Sequence, residues 1–478
     1  MLLARNRHIM NTDSSLLDVT PHITPPLDPH FLPAVLANRK YRSALKVCAK
    51  KACMAIALER ENCCVYRHDL DIFPAGTGHD SDTLRYIKRH LAFVIWSRGG
   101  WKLSLNGPET FCAEIVKLYS PGGARRFDSE MMTKAYDKPF TVEVVESDRV
   151  PEAKEADLSI GGHTDGCRIG FDLGASDYKV AAVVDGSPVF SEEGSWQPGT
   201  RCDPAYHYSQ VMNGLKLAAS HMPRLDAIGG SSAGIIVNNQ VKVSSLFRAV
   251  PGDAFGNFIK PMFLNIGNEF GVPLVVINDG DVTALAGSMS LKRNAMIGVA
   301  MGSSEAAGYL NAKGCILGCL NELAFAPVDF NDNATADSWS GEIGVGALYF
   351  SQQAVNRLAM AAGFIFPAEL SLPERLSQVQ EKSDKGDRRA QEIFVTIGTY
   401  LGYTVPHYME YYDFSNMLVL GRVTSGSGGE LLLTKAHEVL KQEFPDVAER
   451  VTLHVPDEKS RRIGQAVAAA SLPELRQG

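Results

Sequence analysis

The stretch PLVVINDGDVTALAGSMSL, Pro273 to Leu291, decides how the rest of the chain is read. Leu274 to Ile277 form an apolar run of buried-strand type, and a helix-like segment follows at once. Asn278 and Asp279 fall where the strand runs out, and Asp281 is placed to cap the helix. An acid at the carboxyl end of a strand lies on the edge where open α/β sheets bind ligands, so Asp279 is the first candidate for a general base. The competing reading is structural: both aspartates end a strand and cap a helix.

Outward from that stretch, similar segments recur. RIGFDLGASDYKVAAVVDG carries a strand to Asp172, turns through small residues and returns as a second strand ending at Asp185-Gly186. LDAIGGSSAG, AMIGVAMGSSEAAGYL and NMLVLGRVTSGSGGELLL each run an apolar strand into a loop of small residues. Such loops let backbone amides approach a phosphate, and an acid beside one can hold hydrated magnesium. One is weak evidence; four in this order argue for a phosphate-binding cleft between two halves.

These segments resemble the ROK family of sugar kinases and repressors, within the actin, Hsp70 and hexokinase superfold. The likeness spans about Arg168 to Leu475. Asp172, Leu173, Gly174, Ala175, Ser176 and Asp177 resemble its DxGGTK motif. Gly229 to Gly234 resemble GxxxPG, with Ala233 for proline, and FGVPLVVINDGDVTALAG resembles FGxPVxxENDAxAAALGE. GCLNELAFAPV is similar to the segment that carries the sugar-binding glutamate. The family implies a two-lobed α/β clamshell of ribonuclease H-like type, ATP and Mg2+ as cofactors, and a sugar or sugar-derivative hydroxyl as acceptor. Asp279 is then the base, with Asn278, Glu322, Gly230 and Ser231 at the acceptor. Asp172 (through water, to magnesium), Gly174, Ala175, Ser176, Gly302, Ser303, Ser304 and Gly421 fall on the nucleotide side.

The chain also departs from the family. The histidine after the glutamate is Phe325, a later glutamate is Ala347, and the CxCGxxGC zinc cluster has no counterpart. The second phosphate motif, Gly302 to Gly308, has lost much of its glycine, and Arg422 replaces a second glycine after Gly421. Glu342 is a candidate replacement for a missing sugar ligand or else an exposed loop carboxylate. Phe325 reads as packing. Two functions follow: a kinase with a divergent acceptor pocket, or a sugar- or nucleotide-sensing protein that keeps the clamshell without turnover. A DNA-binding repressor ranks below both, because no helix-turn-helix pattern appears at the amino terminus.

The preceding part divides into a polar, proline-bearing arm (1–30), an α+β domain of unknown role (31–150) and a charged, glycine-bearing linker (151–166). The two lobes are placed at 167–285 and 286–478. Within 31–150, ACMAIALERENCCVYRHDLDIF reads as two strands around Glu61-Asn62, and TLRYIKRHLAFVIW as a helix or a helix passing into a strand. Lys88, Arg89, Arg98, Lys102, Arg125 and Arg126 suggest an anion surface, but residues 1–160 hold 22 Lys and Arg against 20 Asp and Glu, which favours a solvated face. The net charge of -7 gives no general attraction to nucleic acid or anionic membrane. Nine scattered cysteines lack a paired zinc spacing and suit a cytoplasmic, reduced setting. No apolar run of spanning length occurs, so no membrane insertion is expected, and a homodimer is implied only by the resemblance.

Overall fold

A computed structural model of the chain describes residues 15–155, 160–175, 177–455 and 458–475. Two α/β lobes face each other. In the first, Leu274–Asn278, Ala227–Ser232 and Cys167–Leu173 run parallel, and Asp177–Val184 and Ser187–Ser195 extend the sheet antiparallel. In the second, Glu305–Leu310 pairs antiparallel with Met296–Met301, which continues parallel to Asn416–Leu420 and Thr452–His454. Apolar runs of the sequence supply the central strands, Cys167–Leu173 and Met296–Met301 among them, which are buried on both faces, whereas the edge strand Ser187–Ser195 is mostly exposed.

Two close backbone approaches explain glycines in the strands of the first lobe. The terminal helix Glu458–Ala470 returns from the far end of the chain to pack on that sheet. A β-carbon at Gly170 would meet the Ala466 carbonyl at 1.7 Å, and one at Gly229 would meet that of Ala469 at 1.7 Å. The first lobe is therefore completed by residues from both ends of the two-lobed unit.

The amino-terminal part is an α+β layer whose sheet runs Val65–Ile72, Ala52–Glu59, Lys102–Asn106, Thr141–Val144. The two strands meet at the expected turn, Glu61–Cys63. The ambiguous apolar segment is one continuous helix, Asp80–Arg98. Helices Ala34–Lys46 and Arg126–Tyr136 had no counterpart in the sequence reading. The core of this layer does not stand alone: it is contiguous with that of the second lobe, where Phe93 stacks on Tyr411 at 3.9 Å and Trp96 meets Phe325 at 4.5 Å. The described part of the arm is irregular and docked, with Asp28 bonded to Arg357 and Tyr400 and Leu17 fully buried.

The solvated-face reading of the basic residues holds for Arg126, which is exposed, and is corrected for Arg89, Arg98 and Arg125. Arg89 and Arg98 are buried, and Arg125 pairs with Asp128 and Glu342 at 3.2 and 2.9 Å. The Nη1 atoms of Arg60 and Arg98 both donate to Cys319 Sγ of the second lobe, at 3.2 and 3.5 Å. On the other side Asp137, in left-handed conformation after Arg126–Tyr136, binds Lys242 and Lys260 of the first lobe at 2.5 and 2.7 Å. The amino-terminal layer thus contacts both lobes. All nine cysteines are free thiols, and among the described residues no helix is long and apolar enough to cross a membrane.

Candidate functional site

Between the lobes lies a cleft of about 1040 Å³ lined by Ala175, Asn278, Asp279, the Gly302 to Ser304 turn and Glu322. The sequence placed these residues together, and the fold brings them together. Asp279 opens the helix Asp279–Leu291 directly after the strand Leu274–Asn278. The helix start is pressed onto the second lobe, since a β-carbon at Gly280 would lie 2.1 Å from the Ala307 carbonyl oxygen, and one at Gly308 would lie 2.2 Å from that of Gly280. Two glycines facing each other allow backbone to touch backbone there, and this contact sets where Asp279 enters the cleft.

The cap differs from expectation. Asn278, not Asp281, is the N-cap: its Oδ1 accepts from Gly280 N at 2.7 Å, and its Nδ2 donates to the Gly234 carbonyl at 2.9 Å. Asp281 lies one turn in, buried, where it accepts from Asn321 Nδ2 at 2.8 Å and from the Tyr309 amide at 3.3 Å. Being three positions beyond the cap, it faces the second lobe instead of the free amides of the first turn. The Asn278 side chain thus ties the helix start to the 229–234 segment.

Asp279 is one of four carboxyls around the cleft and the helix start whose protons are held unusually firmly. Burial, with the charge of Asp172 behind it, raises Asp279 to about 6. Burial and Asp279 raise Asp281 to about 7. Glu322 is raised to about 8 by burial and by both aspartates. Glu305, raised to about 8 by burial and by Glu322, accepts from Tyr408 through Oε1, while its buried Oε2 has no partner. Glu305 and Asn321 were missed in the sequence. The available signal was Glu305 itself, an acid opening an otherwise apolar strand immediately after Ser304. Asn321, in left-handed conformation, turns the chain so that Glu322 reaches the cleft, and Glu322 N bonds to the Trp96 carbonyl at the end of the long amino-terminal helix.

On the side that the resemblance assigns to nucleotide, Gly302 to Ser304 close a β-hairpin in which Gly302 N donates to Ser304 O at 3.0 Å. Asp172 sits behind the cleft wall, buried, its Oδ1 accepting from Ser231 Oγ at 2.6 Å, with burial raising its pKa. The Gly174 carbonyl accepts from Trp196 Nε1 at 2.8 Å. Ser176 lies outside the described residues.

Several residues are elsewhere than the resemblance implied. Gly230 and Ser231 are interior to the strand Ala227–Ser232, the first against the Phe171 ring and the second fully buried, so neither lines the cleft. Gly421 has φ +104, and a β-carbon there would lie 2.4 Å from Met301 O; its surface faces a neighbouring strand end. Glu342 is neither at the cleft nor an exposed carboxylate: its side chain is 16% exposed and holds Arg125. Phe325 packs on Trp96, as expected, but its ring also lines the cleft.

No family model matches the chain, and no curated protein matches its sequence. Among solved structures, a ROK family transcriptional regulator, a homologue of the E. coli MLC protein, covers 64% of this chain and 78% of its own at 16% identity and a TM-score of 0.50. A ROK family glucokinase from Streptomyces griseus, solved with glucose and AMPPNP, covers 66% of this chain and 100% of its own at 17% identity and a TM-score of 0.49. The ROK hexokinase from Thermus thermophilus covers 64% and 97% at 16% identity and a TM-score of 0.49. The chain has the two-lobed fold of the ROK regulator, and at 16% identity the likeness speaks to fold alone.

Proposed function

We propose that the chain is a divergent ROK family member that transfers the γ-phosphoryl group of ATP to a hydroxyl of a sugar or sugar derivative, with Asp279 as general base. The observation that carries this reading is the place of Asp279: at the end of a first-lobe strand, in the cleft that also holds the Gly302 to Ser304 turn, with a pKa raised to about 6. Phosphoryl transfer asks a protein mainly for positioning and charge stabilisation, plus a base for the attacking hydroxyl. A carboxylate near 6 is ionised at neutral pH yet basic enough to take that proton as attack proceeds.

In this reading Glu322 and Asn278 orient the acceptor, although Asn278 already spends its amide on Gly234. Ala175, Ser303 and Ser304 cradle the phosphates. Among the described residues no three His, Cys, Asp or Glu side chains converge as a metal cage. Magnesium when bound neutralises phosphate charge, and Asp172 would hold it through water.

A binding-only sensor is the second reading. It is favoured by the Gly302 to Ser304 hairpin, closed by its own hydrogen bond, by Gly421 packed on Met301, and by an amino-terminal layer that contacts both lobes. Burial of Arg89 and Arg98 argues against a nucleic-acid surface there. Incubation with Mg-ATP and a panel of hexoses, N-acylated amino sugars and polyols, with ADP release followed, separates the two. Sugar-dependent release lost in Asp279→Asn supports the kinase; sugar or nucleotide binding without release removes it.

A further inference from the structure

Resting on the acceptor cleft just described, we infer that its acceptor is an anionic sugar derivative, one carrying a carboxylate or a phosphate, read by Arg201 and Arg248. The floor of the cleft is acidic, with Asp279, Glu305 and Glu322 all on its lining. Arg201 and Arg248 are the only cations among its described lining residues, and both belong to the first lobe. Neither forms an ion pair among the described salt bridges.

Both are tied to the 199–206 segment. Arg248 Nε donates to the Gly199 carbonyl at 3.2 Å, two residues before Arg201, and the Arg201 guanidinium lies 5.3 Å from the centre of the Tyr206 ring. Their remaining N–H groups are free to fork onto a carboxylate or phosphate, the geometry for which guanidinium is suited. The Ala233 to Ile235 and Val243 to Leu246 segments line the same first-lobe side. An anion beside Asp279 would meet a like charge, which favours an acceptor seated with its anionic end at the arginines and a neutral hydroxyl toward Asp279.

On the second-lobe side the cleft presents Trp339, 59% exposed. Its loop is stiff: Asp337 Oδ2 accepts from the amides of Trp339 and Ser340 at 3.1 and 2.7 Å, and Ala336 bridges Ile343. Phe325 and Phe127 stand behind the indole at 5.4 and 5.6 Å between centres. An exposed, braced indole offers a platform for the C–H face of a sugar ring. The other tryptophans are better covered, so Trp339 also reports occupancy.

The test is a titration of the full chain with AMPPNP present, followed by tryptophan fluorescence and calorimetry. The probes are glucose, galactose and mannose, their uronates and their 6-phosphates. At least one acidic probe should bind about 10- to 100-fold tighter than its neutral parent, the span of charged hydrogen bonds. Arg201→Gln/Arg248→Gln should abolish that advantage and leave AMPPNP affinity unchanged. A gain confined to uronates or to 6-phosphates identifies which anion is read. No acidic probe surpassing its parent, or a double variant that weakens AMPPNP and not the acidic sugar, overturns the inference. The kinase reading fails separately: acidic-sugar binding with no ADP release from ATP removes turnover and keeps this assignment, while turnover of neutral sugars alone does the reverse.

Discussion

Gly280 lies against the backbone of Ala307, with the site of a β-carbon 2.1 Å from the Ala307 carbonyl oxygen. The helix that carries Asp279 therefore touches the second lobe through backbone, and a single methyl must push the two apart. Gly280→Ala should cost about 1 to 3 kcal/mol or more, as overpacking does, measured by urea denaturation. Gly252→Ala, with nothing within 4 Å of the added carbon, should stay within about 0.5 kcal/mol.

Asn278 joins two elements with one side chain, capping the helix and holding the Gly234 carbonyl. Loss of an N-cap costs about 0.5 to 2 kcal/mol, and Asn278→Ala adds an unpaired carbonyl. Its unfolding free energy should fall toward the top of that range. Asp281→Asn, which keeps the hydrogen-bonding shape without the charge, should leave the helix start intact, because Asp281 is not the cap.

Asp279, Asp281, Glu305 and Glu322 predict a pH dependence of stability. Each holds its proton more tightly folded, at about 6 to about 8, than unfolded, at about 4. The native state thus binds more protons across that window, and stability falls as pH rises through it. Melting temperature followed from about pH 5 to about pH 8.5 should decline for this reason. Glu305→Gln and Glu322→Gln should flatten the upper part of the decline; an unchanged slope in both would contradict the assignment.

Cys319 lies between two buried guanidiniums and joins the amino-terminal layer to the second lobe. Cys319→Val leaves both Nη1 atoms without that acceptor, at a cost of about 1 to 3 kcal/mol. Cys319→Ser keeps an acceptor and should lose less. Denaturation midpoints of the two variants compare them directly.

The strands of both lobes were legible because central strands of a two-lobed α/β fold are continuous apolar runs ending in small-residue loops, a pattern visible without partners. The grouping of Asp279 with the Gly302 to Ser304 turn followed from that pattern, while Glu322 came in only through the family resemblance. Local spacing could not reveal what lies across a contact. Glycine at 421 reads equally as room for a ligand or room for Met301, and only the fold decides. Arg89, Arg98 and Arg125 read as surface because their partners Asp332, Cys319, Asp128 and Glu342 are mostly remote in sequence. Asp281 lost the cap to Asn278, three positions earlier, because the helix opens at once after the strand and Asn278 Oδ1 already takes the Gly280 amide.

The most direct test of the central claim is phosphorus NMR of the full chain incubated with Mg-ATP and the best-bound sugar of the panel. A sugar phosphate ester should appear in step with ADP. In Asp279→Asn that signal should fall about 100- to 10,000-fold, the contribution of a positioned base, while AMPPNP and sugar still bind. Saturating binding of both ligands with no ester formed, or ester formed equally fast by Asp279→Asn, would contradict it.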